Sequence, residues 1–407
     1  MASYKSTILS CYIGYFVQAI VNNLAPVFFV IFQQDYNISL TQISFLIFIN
    51  FGVQIVTDIL SVYTVDKFGC RNSIVLAHIV STIGLVLLGV LPKILPSPYV
   101  GMIIAIVFYA YGSGLIEVMV SPVVDAIPSE SKSSAMSLLH SFYCWGQLAV
   151  VLFSTLALKL LGGQNWFILP IIWAIIPFVN IFNFLRVPFA PMVSKEEKTP
   201  LRELLSSKTF CLFLIVMLCS GATEMTIAQW SSLFAERGLG VSKVVGDLLG
   251  PGLFALFMGS GRILYGFFGS RINLRLTLLC SAVLGIICYL LTSLSPSPAL
   301  ALVGCALSGL ASSILWPGCF SLASRCFPKG GTTLFGLLAF FGDLGCTFGP
   351  YIAGIVADLV KTYTSLGSIL GTNPEQAGLK AGIFVAGIFP LVLLVSIKKI
   401  KPSKIEN

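Results

Sequence analysis

Charge is what this sequence has least of. Asp, Glu, Lys and Arg make up 10% of its 407 residues, while 57% are hydrophobic. Soluble domains carry about 25% charged residues, so the shortage excludes an ordinary soluble fold, whose core could not hide this much apolar surface. Histidine is nearly missing: His78 and His140 stand far apart, and no H-E-x-x-H pair exists to hold a hydrolytic zinc. No Walker-type glycine loop is present, which argues against direct use of ATP. The 11 cysteines form no C-x-x-C pair and lie mostly in apolar runs, where they read as small packing residues. No cofactor or metal is expected, and an enzyme is the least favoured class. Short alternating strands are lacking as well, which excludes a β-barrel. The first apolar run has no small-residue cleavage site and exceeds a leader's apolar core, so it reads as a retained helix.

Long apolar runs are what the chain has instead. A helix needs about 20 largely apolar residues to cross a bilayer, and twelve such runs follow one another, at about 6–33, 41–65, 74–93, 98–126, 131–158, 165–187, 209–235, 242–269, 274–295, 298–326, 332–360 and 379–397. The expected fold is an all-α membrane protein with 12 transmembrane helices. The net charge of +8 does not gather on one face as a nucleic-acid site would; it sorts by membrane side. Assigned alternately, seventeen Lys and Arg fall on the side of the termini and six on the other, with Arg262 inside a span. That asymmetry places both termini in the cytoplasm and supports an even number of spans. A multi-pass protein of the plasma membrane is expected, with the bilayer and a small solute as partners, no nucleic acid, and activity as a monomer.

The longest break, "PFAPMVSKEEKTPLRELLSSK", opens with prolines, and its leucines Leu201, Leu204 and Leu205 predict a short interfacial helix. It divides the chain into a six-helix bundle over 1–188, a linker over 189–208 and a second six-helix bundle over 209–407. The halves echo each other. "LLHSFYCWGQ" in the fifth span matches "LLAFFGDLGC" in the eleventh, pairing Gly146 with Gly345. Ser113-Gly114-Leu115 followed by Pro122 matches Ser308-Gly309-Leu310 followed by Pro317. Asp58 precedes Asp66 by the interval that separates Arg262 from Ser270. A six-plus-six repeat around a central cavity is the plan of the major facilitator superfamily. The loop "DKFGCRN" resembles that family's loop motif. In it Gly69 turns the chain, Asp66 faces a helix N-terminus, and Lys67 and Arg71 hold the interface. Val62 stands where the motif usually opens with Gly, and in the second half "GFFGSRIN" keeps Arg271 but has Ser270 in the acid's place.

An ionisable group at mid-bilayer costs about 2.5–3.5 kcal/mol on insertion scales, which makes the few that lie deep candidates for function. Ser113, Glu117, Ser121 and Asp125 share a slowly drifting helical face. No basic residue lies within a turn of Glu117, so its protonated form is the cheaper resting state, and such a carboxyl can take up and release a proton as water reaches it from either side. The first span sets Gln18 and Asn22 on one stripe with Asn23 adjacent, amides suited to a ligand's hydroxyls or to interhelical bonding. In the seventh span Glu224 shares a face with Gly221 and Ser231, with Gln229 and Trp230 nearby. His140, Trp145, Trp316 and Asp343 complete the candidate cavity groups, although a Trp is equally often an interface anchor. His78 has no polar stripe and reads as packing. Asp58 and Arg262 occupy matching places in the two halves, where a salt bridge or paired gate across the cytoplasmic mouth would relieve both.

Together "VNNLAPVFFVIFQQDYNISLTQ", "GSGLIEVMVSP" and "MSLLHSFYCWGQ" resemble the fucose:proton symporter branch of the superfamily, which includes glucose- and galactose-type carriers. The resemblance implies that Glu117 handles proton and sugar and that Asn22 and Asn23 are the first span's paired asparagines. It also likens "TEMTIAQW" to the seventh span of hexose carriers. Pro26 stands where the branch has a further Asp, so a second proton-handling acid is missing from the first span. The expected function is alternating-access transport of a neutral monosaccharide or polyol, coupled to protons. The alternatives are sodium-coupled or uniport sugar transport, proton-driven efflux of amphiphiles, and a sensor or lipid flippase on the same scaffold.

Overall fold

Away from water a backbone must satisfy its own hydrogen bonds, and for runs of this length a helix does so within one segment. The computed structural model describes residues 4–128, 132–190, 201–268, 273–327, 331–362 and 374–400. Its membrane-length helices are α1 Lys5–Val27, α2 Leu40–Leu60, α3 Cys70–Ile94, α4 Pro98–Ser121, α5 Leu138–Leu161, α6 Ile168–Arg186, α7 Lys208–Gly238, α8 Lys243–Phe268, α9 Leu274–Leu294, α10 Pro298–Ala323, α11 Gly336–Thr362 and α12 Pro374–Lys399. The helical backbone of α2 runs on to Phe68, and that of α11 begins at Gly331.

Local chemistry sets several boundaries. Pro26 ends α1, and after Phe28 the chain resumes as a short helix, Phe29–Tyr36. A capping box opens α2: Ser39 Oγ accepts from the Gln42 N–H (3.1 Å) and Gln42 Oε1 from the Ser39 N–H (2.9 Å). The Asn273 side chain caps α9 by accepting from the Leu276 N–H at 3.1 Å. Single π-helical turns at Phe234–Gly238 and Leu248–Gly252 widen α7 and α8 where they approach each other. The helix expected in the central connection is present as Leu201–Ser206.

The repeat has a physical counterpart. A Cβ on Gly146 would sit 2.7 Å from Ala19 Cβ, and one on Gly345 would sit 1.9 Å from Leu218 O, so these glycines let α5 close on α1 and α11 close on α7. Gly114 and Gly309 do the same for α4 on α2 and α10 on α8, with Cβ positions 2.9 Å from Thr57 Cβ and 2.0 Å from Phe254 O. Each pair of matching glycines serves a matching pair of helices, where small residues allow close van der Waals packing.

The halves meet along α2–α11, α5–α8 and α1–α7. At the end away from the termini, the distal end, polar pairs tie them together. Thr41 Oγ1 donates to Asp358 Oδ2 (2.7 Å) and Thr155 Oγ1 to Asp247 Oδ2 (2.7 Å), while Gln33 Nε2 reaches Glu375 Oε1 (3.4 Å). Asp247 is further held by Lys243 at 3.1 Å and by the Ser232 hydroxyl. Toward the termini, Gly336 of α11 meets nothing within 4 Å, and Phe267 of α8 is 75% exposed. The outward flanks carry exposed apolar side chains such as Ile172, Ile175, Phe178 and Phe182 of α6, the surface that faces lipid.

Candidate functional site

The stripe on α1 faces the interior and organises a chain of amides. Gln18 Nε2 donates to Glu117 Oε2 of α4 at 2.5 Å. One turn on, Asn22 Oδ1 accepts from Asn50 Nδ2 and Gln54 Nε2 of α2, both at 3.0 Å, and the Asn22 carbonyl accepts from Gln229 Nε2 of α7 at 2.9 Å. Asn23 Nδ2 donates to the Tyr143 hydroxyl of α5 at 3.2 Å. Ser113 of α4 donates to Gln54 Oε1 at 2.9 Å. Helices α2 and α5 of the first half and α7 of the second thus bond to two adjacent asparagines of α1, and α4 joins through Gln54 and Gln18.

Below this layer, toward the termini, lie the ionisable groups. Tyr15 of α1 shares a 2.7 Å hydrogen bond with Ser121 and sets its ring edge-on to His140, with centroids 5.0 Å apart. Glu117, Ser121, His140, Trp145 and Trp316 are only half-buried although they stand among the inner helices, so they border space between the halves. Glu117 also lies within electrostatic range of Asp343 on α11. Trp145 borders Gly259 of α8, and Trp316 lies against Gly342, beside Asp343.

Arg262 and Asp58 take partners other than those expected. Arg262 Nη2 meets both carboxylate oxygens of Glu224 at 3.3 Å, while Nη1 donates to the His140 carbonyl at 3.3 Å, crossing from α8 to α5. Asp58 lies within interaction range of Asp343 across the α2–α11 seam. Matching depth in two halves does not put two side chains on the same side of the seam, and this is why the pairing expected from sequence is redistributed.

Two other expectations shift. Trp230, placed by sequence among cavity groups, is 2% exposed and donates Nε1–H to the Pro350 carbonyl of α11 at 3.0 Å, which makes it an internal brace. Arg71, expected at a gate, donates to the carbonyls of Phe184 (2.7 Å), Leu185 (2.9 Å) and Val187 (2.8 Å), closing the C-terminus of α6 within its own half. Gly69 does turn the chain with φ of 78°. The side chains of Asp66 and Lys67, and Arg271 altogether, lie outside the described residues. His78 is a packing residue as read: its Nδ1–H donates to Ile74 O (2.8 Å) and its Nε2 accepts from Asn180 (3.0 Å). Sequence reasoning missed Tyr15, Tyr143, Asn50 and Gln54; the i, i+4 spacing of the last two was the available signal.

The chain matches the profile of the Major Facilitator Superfamily over residues 11–350, with a second match over 249–395. The multi-drug resistance efflux pump PmrA of Streptococcus pneumoniae is 23% identical over 367 residues, covering 87% of this chain and 90% of that protein. The D-xylose-proton symporter superposes with a TM-score of 0.77 at 15% identity, covering 99% of each chain. The fucose:proton symporter of E. coli does so with a TM-score of 0.66 at 17% identity, covering 98% of this chain and 99% of that one. At these identities the structural likeness concerns the fold, and the sequence relative is an efflux pump, so the branch named from sequence remains an expectation. The family itself follows from a profile match across most of the chain, twelve helices and two matching halves: this protein belongs to the Major Facilitator Superfamily, a family of membrane transporters.

Proposed function

We propose that this transporter moves a neutral monosaccharide or related polyol by alternating access, in symport with protons. The observation that carries the reading is the pairing of Glu117 with Gln18 beside the amide layer of Asn22, Asn23, Asn50, Gln54 and Gln229. Amides present donors and acceptors together, as hydroxyls do, so a polyol can exchange bonds with them without leaving a buried polar group unpaired. Charge supports a neutral solute: the interior base Arg262 is already neutralised by Glu224, and Glu117, Asp58 and Asp343 would repel an anion. Glu117 carries the proton. Among the described residues it is held by the amide of Gln18 in a half-buried position, where either protonation state keeps a partner: the carboxylate accepts from Gln18 Nε2, and the acid can donate to Gln18 Oε1.

By the bias of its basic residues both termini are cytoplasmic, so the polar pairs at the distal end close the outer side. A xylose symporter and a fucose symporter among the solved folds agree with the sugar reading. Efflux of amphiphilic, cationic compounds is the second reading, favoured by the PmrA relative and by acids standing among the aromatic groups Trp145 and Trp316. A thermal-shift screen of purified protein against monosaccharides and cationic dyes separates the two. The proposal expects stabilisation by at least one hexose, deoxyhexose or pentose, and stabilisation by dyes alone would overturn it.

A further inference from the structure

The contact between Asp58 and Asp343 serves neither the gate nor the sugar site expected of them singly. Helices α2 and α11 run antiparallel along the seam between the halves, and a series of rungs fixes their register. Thr41 Oγ1 donates to Asp358 at 2.7 Å, a Cβ on Gly354 would lie 2.4 Å from Ser44 Cβ, and the rings of Phe48 and Tyr351 stand with centroids 5.0 Å apart. Moving toward the termini, numbers rise on α2 as they fall on α11, and the same register brings Asp58 opposite Asp343. There the two carboxyl groups come within interaction range of each other. Two carboxylates facing each other in a buried seam disfavour double ionisation, and one shared proton gives them a donor between two groups that otherwise only accept. Asp343 is buried, and its Oδ2 has no donor among the described residues, which a proton on the pair would supply.

The charged and titratable groups around the pair are mostly acids. Glu117 on α4 faces both acids, and Cys346 stands one turn along α11 from Asp343. On α7 and α8, Glu224 and Arg262 are paired with each other, and Tyr143 of α5 and Tyr15 of α1 stand beside that pair. We propose that Asp58 and Asp343 form a second proton-binding site, one proton held between the two halves of the transporter and separate from Glu117. The site does not depend on which solute is carried. Loss of the proton leaves two carboxylates facing each other across the seam, where like charges repel. Proton occupancy and closure of the α2–α11 seam therefore reinforce each other, and by linkage each raises the other by the same factor.

Hydrogen exchange read by mass spectrometry on the nanodisc-embedded protein, without substrate, tests this. Peptides around residues 50–60 and 338–348 are followed across a pH series, with intrinsic exchange corrected. In the wild type their protection falls by about tenfold as pH rises, within the 5–150-fold range of coupled sites. Asp343→Asn keeps them protected at every pH, because its amide donates permanently to Asp58, and Asp58→Asn does the same in reverse. Glu117→Gln leaves the pH response in place. A flat wild-type profile overturns the proposal; so does a wild-type-like response in both asparagine variants, or a response lost with Glu117→Gln. Should one asparagine variant fail to fold, the other decides, and the wild-type and Glu117→Gln profiles decide without either.

Discussion

A carboxyl held by one amide can change charge without rebuilding its surroundings, and that property sets the experiments at the scale of residues. Glu117→Gln keeps a partner for Gln18 but cannot exchange a proton. The variant should lose accumulation driven by a pH gradient, by at least about tenfold (about 1.4 kcal/mol of driving force), while still exchanging solute at equilibrium in proteoliposomes. Accumulation at the wild-type level would remove Glu117 from coupling. Arg262 and Glu224 form a buried pair, and removing one member of such a pair costs about 3–5 kcal/mol because a charge is left uncompensated. Thermal unfolding should show Arg262→Met strongly destabilised and Arg262→Met with Glu224→Leu recovering most of the loss; equal destabilisation of the single and double variants would contradict the pairing. At this scale the sequence revealed depth but not direction. Glu117 was legible because a lone acid in an apolar run is costly, whereas the partners of Arg262 and Asp58 depend on which side of the seam each faces.

Elements are where sequence and structure agree most closely, since a run of apolar residues long enough to cross a bilayer has few alternatives to a helix. Boundaries were less legible: Pro26 ends α1 earlier than the apolar run over 6–33 suggested, and the Ser39–Gln42 cap that opens α2 was not read. The glycines that echo between the halves mark close helix crossings, and they give a test with an internal control. Gly345→Val should place side-chain atoms against the Leu218 carbonyl and remove monodisperse protein on size exclusion, whereas Gly336→Ala, facing open space, should leave it unchanged. Similar losses in both would mean the α7–α11 crossing is not set by Gly345. Trp230 was not legible as a brace, because its indole N–H is answered by the backbone of Pro350, 120 residues away in sequence.

For the whole molecule, the two-half plan was readable from the repeat, while its state was not, because which end closes depends on contacts between distant helices. Thr155–Asp247 and Thr41–Asp358 hold the distal end. Asp247→Ala removes the acceptor shared by Thr155, Ser232 and Lys243, and should raise hydrogen exchange in the distal turns of α5 and α8 while leaving their terminal ends unchanged. Uniform exchange along both helices would show that this pair does not close the distal end. The most direct measurement follows solute and proton together: radiolabelled hexoses, deoxyhexoses and pentoses are offered to proteoliposomes while the pH of the weakly buffered medium is recorded. Entry of one of these sugars with matching alkalinisation of the medium, both abolished in Glu117→Gln under a pH gradient, is the predicted result. Sugar entry with no proton movement, or proton movement answered only by expulsion of cationic dyes, would contradict it.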